Sequence, residues 1–250
     1  MHQAKTAVIL AAGMGTRLRE VLESDPKGLL EISGKRLIVE SLKRLIKGGI
    51  REIILVTGYK GDNYKSALAS EFPQIRFIPN LDYDSTGSMH SLFQVRNAVT
   101  SDFLLLESDL LYEDRAIPAL LNSDRENEIL ISGKTESGDE VWVYGENDRV
   151  QRINKEKSDH LTCQGELVGI SKLSLAFMEQ LAEYYQENAA SLRNAHYEEC
   201  ISDLAASYPV HYLKIEDLIW TEIDNPHHLE RALQKIYPKL YNDSPANRRS

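Results

Sequence analysis

Cysteine is scarce in this chain: Cys163 and Cys200 are the only two in 250 residues, and they lie too far apart for a CxxC or any metal-ligand spacing. That excludes a disulfide scaffold and reads as reduced thiols in a cytoplasmic protein. Positive charge is short as well. Against 38 Asp and Glu there are 29 Lys and Arg, a formal net charge of −9, so a nucleic-acid partner, which needs a basic face, is not expected. No apolar run reaches membrane-spanning length, and the opening MHQAKTAVILAAG lacks the long apolar segment of a secretion signal. A membrane role is therefore not expected either. Two common nucleotide signatures are also missing. No Gly-Lys-Ser/Thr follows the early glycines, which excludes a Walker A loop. Leu18 stands where a dinucleotide fingerprint needs its third glycine, and Thr57-Gly58-Tyr59 offers no acid for a ribose, which argues against an NAD-dependent oxidoreductase.

What is present begins with Leu10-Ala11-Ala12-Gly13-Met14-Gly15-Thr16-Arg17-Leu18, followed by Pro26-Lys27. The apolar run Thr6 to Leu10 reads as a buried strand leading into it. Gly13 and Gly15 let the main chain turn tightly and approach a ligand with no Cβ in the way, so N–H groups can converge on an anion. A plain strand-to-helix turn would account for the glycines. It would not account for Arg17 and Lys27, whose charge suits a polyphosphate.

The chain then alternates. A helix over Lys35 to Lys47, with Ile38, Leu42, Leu45 and Ile46 on one face, closes at Gly48-Gly49. A strand at Ile53 to Val56, a helix from about Asn63 to Ser70 and a strand at Ile75 to Ile78 follow. This order predicts parallel strands with ligands at their carboxyl ends. Asp84 to Ser88 reads as a loop capping a helix that carries Met89, Leu92, Phe93 and Val99, with Ser or Thr as N-cap. Phe103 to Leu106 is the most apolar strand and runs into Glu107-Ser108-Asp109. A carboxylate there can hold a hard cation against phosphate oxygens, although a solvated turn acid is the plainer reading.

From Ile129 the pattern turns antiparallel: Glu140 to Tyr144 and Val150 to Ile153 flank the hairpin signal Gly145-Glu146-Asn147-Asp148, and Glu166 to Ile170 is another strand. Helices at Leu175 to Asn188 and Tyr197 to Ala206, then strands near Val210 to Leu213 and Leu218 to Ile223, lead to Asp224-Asn225-Pro226. Asn225 fits an N-cap with Pro226 at the first helical position, which leaves Asp224 free. The expected architecture is a Rossmann-like α/β fold: a mixed, mainly parallel sheet flanked by helices, with a small antiparallel insert. The tail 242–250 is polar and reads as disordered.

LAAGMGTRL with a downstream PK resembles the signature of the nucleotidyltransferases that make sugar, choline or phosphonate nucleotides. The runs TGSMHSL, FLLLESDLLY, SGDEVWV, GELVGISKL and IWTEID resemble 2-aminoethylphosphonate cytidylyltransferases over nearly the whole chain, and touch the related phosphocholine enzymes. The resemblance implies one nucleotidyltransferase domain over 1–241, using CTP and Mg²⁺. It implies Asp109 and Asp224 as metal ligands, with Lys27 and Arg17 beside the phosphates. It places the nucleotide against Leu10, Ala12, Gly13, Gly15, Thr16, Thr86, Ser88, Met89, Glu107 and Ser108.

The acceptor it implies is a small phosphonate or phosphate carrying an amine. Lys155 would clamp the anion, though a surface lysine after a hairpin is an equal reading. Acids and aromatic faces for the amine are offered by Asp139, Trp142, Glu166, Tyr197, Glu198 and Trp220, each of which also reads as core or surface. Asp139 and Glu166 lead. Phosphocholine as acceptor, and a nucleotide-binding regulatory subunit without turnover, are the competing readings. The sequence leaves a homodimer open.

Overall fold

The computed structural model describes residues 4–18, 21 and 25–241; the tail 242–250 lies outside them. Its strands are β1 (Thr6–Ala11), β2 (Glu31–Ile32), β3 (Lys35–Arg36), β4 (Glu52–Thr57), β5 (Ile75–Pro79), β6 (Phe103–Glu107) and β7 (Leu110–Tyr112). They continue with β8 (Glu128–Ser132), β9 (Trp142–Glu146), β10 (Arg149–Asn154), β11 (Cys163–Leu173), β12 (His211–Ile215) and β13 (Trp220–Glu222). The α-helices are α1 (Leu37–Lys47), α2 (Gly61–Leu68), α3 (Ser88–Gln94), α4 (Ala116–Leu121), α5 (Leu175–Glu187), α6 (Tyr197–Leu204), α7 (Pro226–Arg231) and α8 (Tyr237–Tyr241).

A nine-stranded sheet runs in the order β5-β4-β1-β6-β11-β8-β12-β10-β9. Its first part, β5-β4-β1-β6, is parallel, as the strand-helix alternation predicts. The antiparallel strands extend that same sheet: β6 pairs with the C-terminal half of β11, while the N-terminal half of β11 pairs with β9. Strands β11, β8, β12, β10 and β9 therefore close on one another beside the parallel half. The β9–β10 hairpin turns at Asn147 and Asp148, with φ of 51° and 61°, the left-handed pair that matches strand twist.

Alternate residues of β1 enter opposite core layers: Ala7, Ile9 and Ala11 one, Val8 and Leu10 the other. Helix α1 fills the first layer with Ile38, Leu42 and Leu45, but Ile46 is 40% exposed and falls off the apolar stripe. Its start also shifts, because Lys35 and Arg36 pair with β2 before the helix begins. Helix α3 is capped by Gly87 without a side-chain bond, so neither Ser nor Thr is its N-cap, and Val99 is buried beyond its end. Asn225 caps α7 as expected, its side chain accepting from the His228 N–H, with Pro226 in the first turn. The last helix docks on α1: the Tyr241 hydroxyl donates to Glu40 at 2.6 Å and accepts from Arg44 at 3.1 Å. Cys163 and Cys200 are free thiols. Among the described residues no helix is long and apolar enough to cross a membrane.

Candidate active site

The carboxyl ends of β1 and β6 open into a cleft of about 350 Å³, and Leu10, Ala12, Gly13, Arg17 and Lys27 form one wall. Gly13 has open space where a Cβ would stand, and Gly15 takes a φ of 58°, which a side chain would resist. Neither Gly15 nor Thr16 lines the cleft; their part is to turn the chain so that Arg17 faces it.

Asp109 and Asp224 are joined by a ladder invisible in local sequence. β7 pairs antiparallel with β13, with Leu110 opposite Glu222, and Ile223 N–H donates to the Asp109 carbonyl at 3.1 Å. Both carboxylates then meet the Lys27 ammonium. Burial works against that ammonium, but Asp109 and Asp224 reverse the effect and hold its pKa well above the lysine range. Asp224 is pushed up by burial and pulled further down by Lys27, ending well below the usual carboxylate value. Lys27 is seated by a short 3-10 turn, where Gly28 N–H donates to the Tyr64 hydroxyl at 3.0 Å.

Arg17 reaches Asp224 at 3.1 Å and Asp139 at 3.0 Å, and Lys155 reaches the other Asp139 oxygen at 2.8 Å. Asp139 is thus held by two cations instead of being offered to an amine. Despite its burial, they keep its pKa below the ordinary value. Behind them Glu107 lies half-buried; desolvation, then Asp109 and Glu198, push it up to about 8, and Tyr197 donates to it at 2.8 Å. Glu198 lines the cleft with Oε2 buried and unpartnered among the described residues.

At the other end the lining carries no charge except by way of His196: Tyr83, Thr86, Gly87, Ser88 and Ser91. The segment before α6 holds this loop in place. Gly87 N–H donates to Arg193 O at 3.0 Å, Met89 N–H to Ala195 O at 3.2 Å, and Tyr197 N–H to Ser88 Oγ at 3.0 Å.

Several expected residues fall elsewhere. Met89 is fully buried in the second core layer, because α3 turns it inward. Trp142 does not line the cleft; it is buried on β9, with Lys134 and Lys157 at 5.7 and 5.8 Å from its ring. Glu166 accepts from the N–H and hydroxyl of Thr135, at 2.8 and 2.9 Å, and borders a smaller adjoining pocket. Trp220 is core, its Nε1 donating to Ser132 at 2.8 Å. Tyr197 is buried and acts on the cleft through its neighbours, with its hydroxyl on Glu107 and its N–H on Ser88. Glu107 and Ser108 do line it.

The acids offer oxygen donors alone, which suits a hard cation such as Mg²⁺. Oxygens of Glu107, Asp109 and Glu222 lie within 4.8 Å of one another, and Lys27 already sets a positive charge between Asp109 and Asp224. The donor set fits such an ion.

Residues 7–200 match the family described as the MobA-like NTP transferase domain. The chain belongs to that family. It is 26% identical over 246 residues to the bifunctional protein GlmU of Methanococcus maripaludis, covering 94% of this chain and 57% of that protein. It is 26% identical over 234 residues to a CMP-5'-(3-aminopropyl)phosphonate synthase of Streptomyces rubellomurinus, covering 88% of this chain and 37% of that one. The chain thus spans only about half, or less, of the length of these relatives. Its fold is shared with the CTP:phosphocholine cytidylyltransferase of Streptococcus pneumoniae, at a TM-score of 0.76 and 21% identity, covering 93% of this chain and 98% of that chain.

Within this MobA-like domain, sequence reasoning missed Glu222, Tyr64, Ser91, His196 and His228. Glu222 had only a weak signal: it ends β13 two residues before Asp224, which lies just past the strand. His228 had none. Its Nδ1 accepts from Asp224 N–H at 3.3 Å, and its ring also bonds the main chain at Ser137.

Proposed function

We propose that this MobA-like domain transfers a cytidylyl group from CTP to a small phosphonate or phosphate that carries an amine, with 2-aminoethylphosphonate as the fitting acceptor. The observation that carries the reading is the interleaving of Lys27, Arg17 and Lys155, which line the cleft, with Asp109 and Asp224 beside them and Asp139 from the adjoining pocket. A polyphosphate can take over each cation from its carboxylate. The phosphonate synthase among the relatives supports the acceptor class.

An acceptor oxygen forms the new bond to the α-phosphorus, and the bond from that phosphorus to the bridging oxygen breaks, its electron pair leaving with pyrophosphate. A phosphonate or phosphate monoester is already ionised near neutrality, its second pKa being about 6. No general base is required. Lys27 and Arg17 neutralise the triphosphate as charge moves toward the leaving group, and Lys155 orients the acceptor anion. Asp109 and Asp224, with Glu222 beside them, would hold Mg²⁺, which when bound withdraws charge from phosphate oxygens. Glu198, whose Oε2 lacks a partner among the described residues, is the acid for the acceptor amine. Phosphocholine is the competing acceptor: Trp142 lies outside the cleft beside two lysines, while Tyr83 offers an aromatic ring within it.

Pyrophosphate release with CTP and Mg²⁺ against 2-aminoethylphosphonate, methylphosphonate, phosphocholine and a sugar 1-phosphate tests the reading. Turnover should be highest with the aminophosphonate. Turnover with the sugar phosphate alone would reject it.

A further inference from the structure

At the uncharged end of the cleft the Ser91 hydroxyl hydrogen has no acceptor among the described residues. Asn80, buried just after β5, accepts the Asp82 N–H on its Oδ1 at 3.0 Å. A main-chain N–H can only donate, so this contact fixes which end of the amide is oxygen. The Nδ2 then donates twice, to Thr86 Oγ1 at 3.2 Å and to Ser91 Oγ at 3.0 Å. Each hydroxyl, having accepted, must send its own hydrogen elsewhere. Thr86 gives its hydrogen to the Asp82 carbonyl at 2.7 Å. Ser91 has no second partner among the described residues, and it lines the cleft while only 4% exposed.

We propose that Ser91 reads the nucleobase as a hydrogen-bond donor, and that Asn80 is the positioning residue that makes it one. The inference rests on the nucleotidyl-transfer reading, which assigns the charged end to the phosphates and leaves the uncharged end for the base. A fixed donor needs an acceptor on the base edge it meets. Cytosine carries a lone pair at N3, whereas uracil and thymine carry a hydrogen there. Donor against N3–H would leave both groups unpaired in a place that water reaches poorly. Set opposite position 3 of the base, and not opposite O2 or O4, which accept in uracil as well, Ser91 selects CTP over UTP, and the selectivity originates in the Asp82 main chain that orients the Asn80 amide.

The decisive comparison is calorimetric affinity for CTP and for UTP, both with Mg²⁺, in the wild type, Ser91→Ala and Asn80→Asp, each checked for folding by circular dichroism. The wild type should favour CTP by about tenfold, the worth of one buried hydrogen bond. Ser91→Ala should bring the two nucleotides within about twofold of each other by the same reckoning. In Asn80→Asp the new carboxylate accepts from the Ser91 hydroxyl and turns its lone pairs to the base, so UTP should gain on CTP. A wild type that binds both nucleotides equally, or a preference that survives in folded Ser91→Ala, overturns the proposal. If Asn80→Asp does not fold, Ser91→Ala decides alone. Loss of the proposed transfer reaction is seen separately, as no turnover with any acceptor while the CTP preference persists.

Discussion

The Ile223 N–H donates to the carbonyl of Asp109 at 3.1 Å, and together with the β7–β13 ladder that bond holds the late part of the chain at the end of the central strand. Through it Asp224 stands beside Asp109, and both share the Lys27 ammonium. Changing either aspartate to Ala should lower turnover by on the order of 10²-fold, since each supports charge neutralisation at the phosphates. Steady-state pyrophosphate release measures it. Melting temperature should be less affected by Mg²⁺ in both variants than in the wild type.

Replacing Lys27 by Met should have a different signature. Two buried carboxylates would then face each other without their cation, which is costly. Thermal melts in EDTA should show marked destabilisation, and Mg²⁺ should restore much of the loss. Turnover should stay low in either case.

Gly87 leaves no room for a side chain, because a Cβ would lie 2.1 Å from the Ala195 carbonyl oxygen. Gly87→Ala should force the loop and the segment before α6 apart, at about 1–3 kcal/mol in stability. Urea denaturation gives that number, and nucleotide affinity should fall with it.

Glu166 supplies a pH dependence. Burial pushes its carboxyl up to about 7, even with two Thr135 hydrogen bonds opposing. The folded chain thus keeps a proton that the unfolded chain releases from about 4.3 upward, so the native state binds more protons between those values. Stability from this group is greatest below that window, declines as pH rises through it, and levels off above about 7. Glu166→Gln should remove this slope, as read by denaturation at pH 5, 6, 7 and 8.

His228 links Asp224 to the Ser137 main chain, two residues from Asp139, and so sets the gap that Arg17 bridges. His228→Ala should reduce kcat by about tenfold through misplacement of Asp224. His228→Gln, which can still accept from the Asp224 N–H, should recover part of the loss. Equal losses in both variants would show that the ring does not position Asp224.

The parallel half of the sheet was legible because its signals are local. β1, β4 and β6 are unbroken apolar runs, and the strand-helix alternation fixed their direction. The Asn147-Asp148 hairpin and the Asn225 cap were legible for the same reason. Glu222 was much less so, since its place depends on β13 pairing with β7, which lies far earlier in the chain. Trp142 and Glu166 were misplaced because alternation along a strand gives two faces without saying what covers each. That was decided by the closing of β9 onto β11. Asp139 escaped notice as an ion-pair bridge because nothing near it in sequence announces Arg17.

Tyr197 contributes its main-chain N–H to Ser88 on the uncharged wall and its hydroxyl to Glu107 at the back of the cleft, with Glu198 following directly in α6. One short stretch of backbone therefore answers to both ends of the cleft. A ligand that steadies this stretch from one side prepares it for the ligand on the other, and thermodynamic reciprocity makes the benefit equal in both directions.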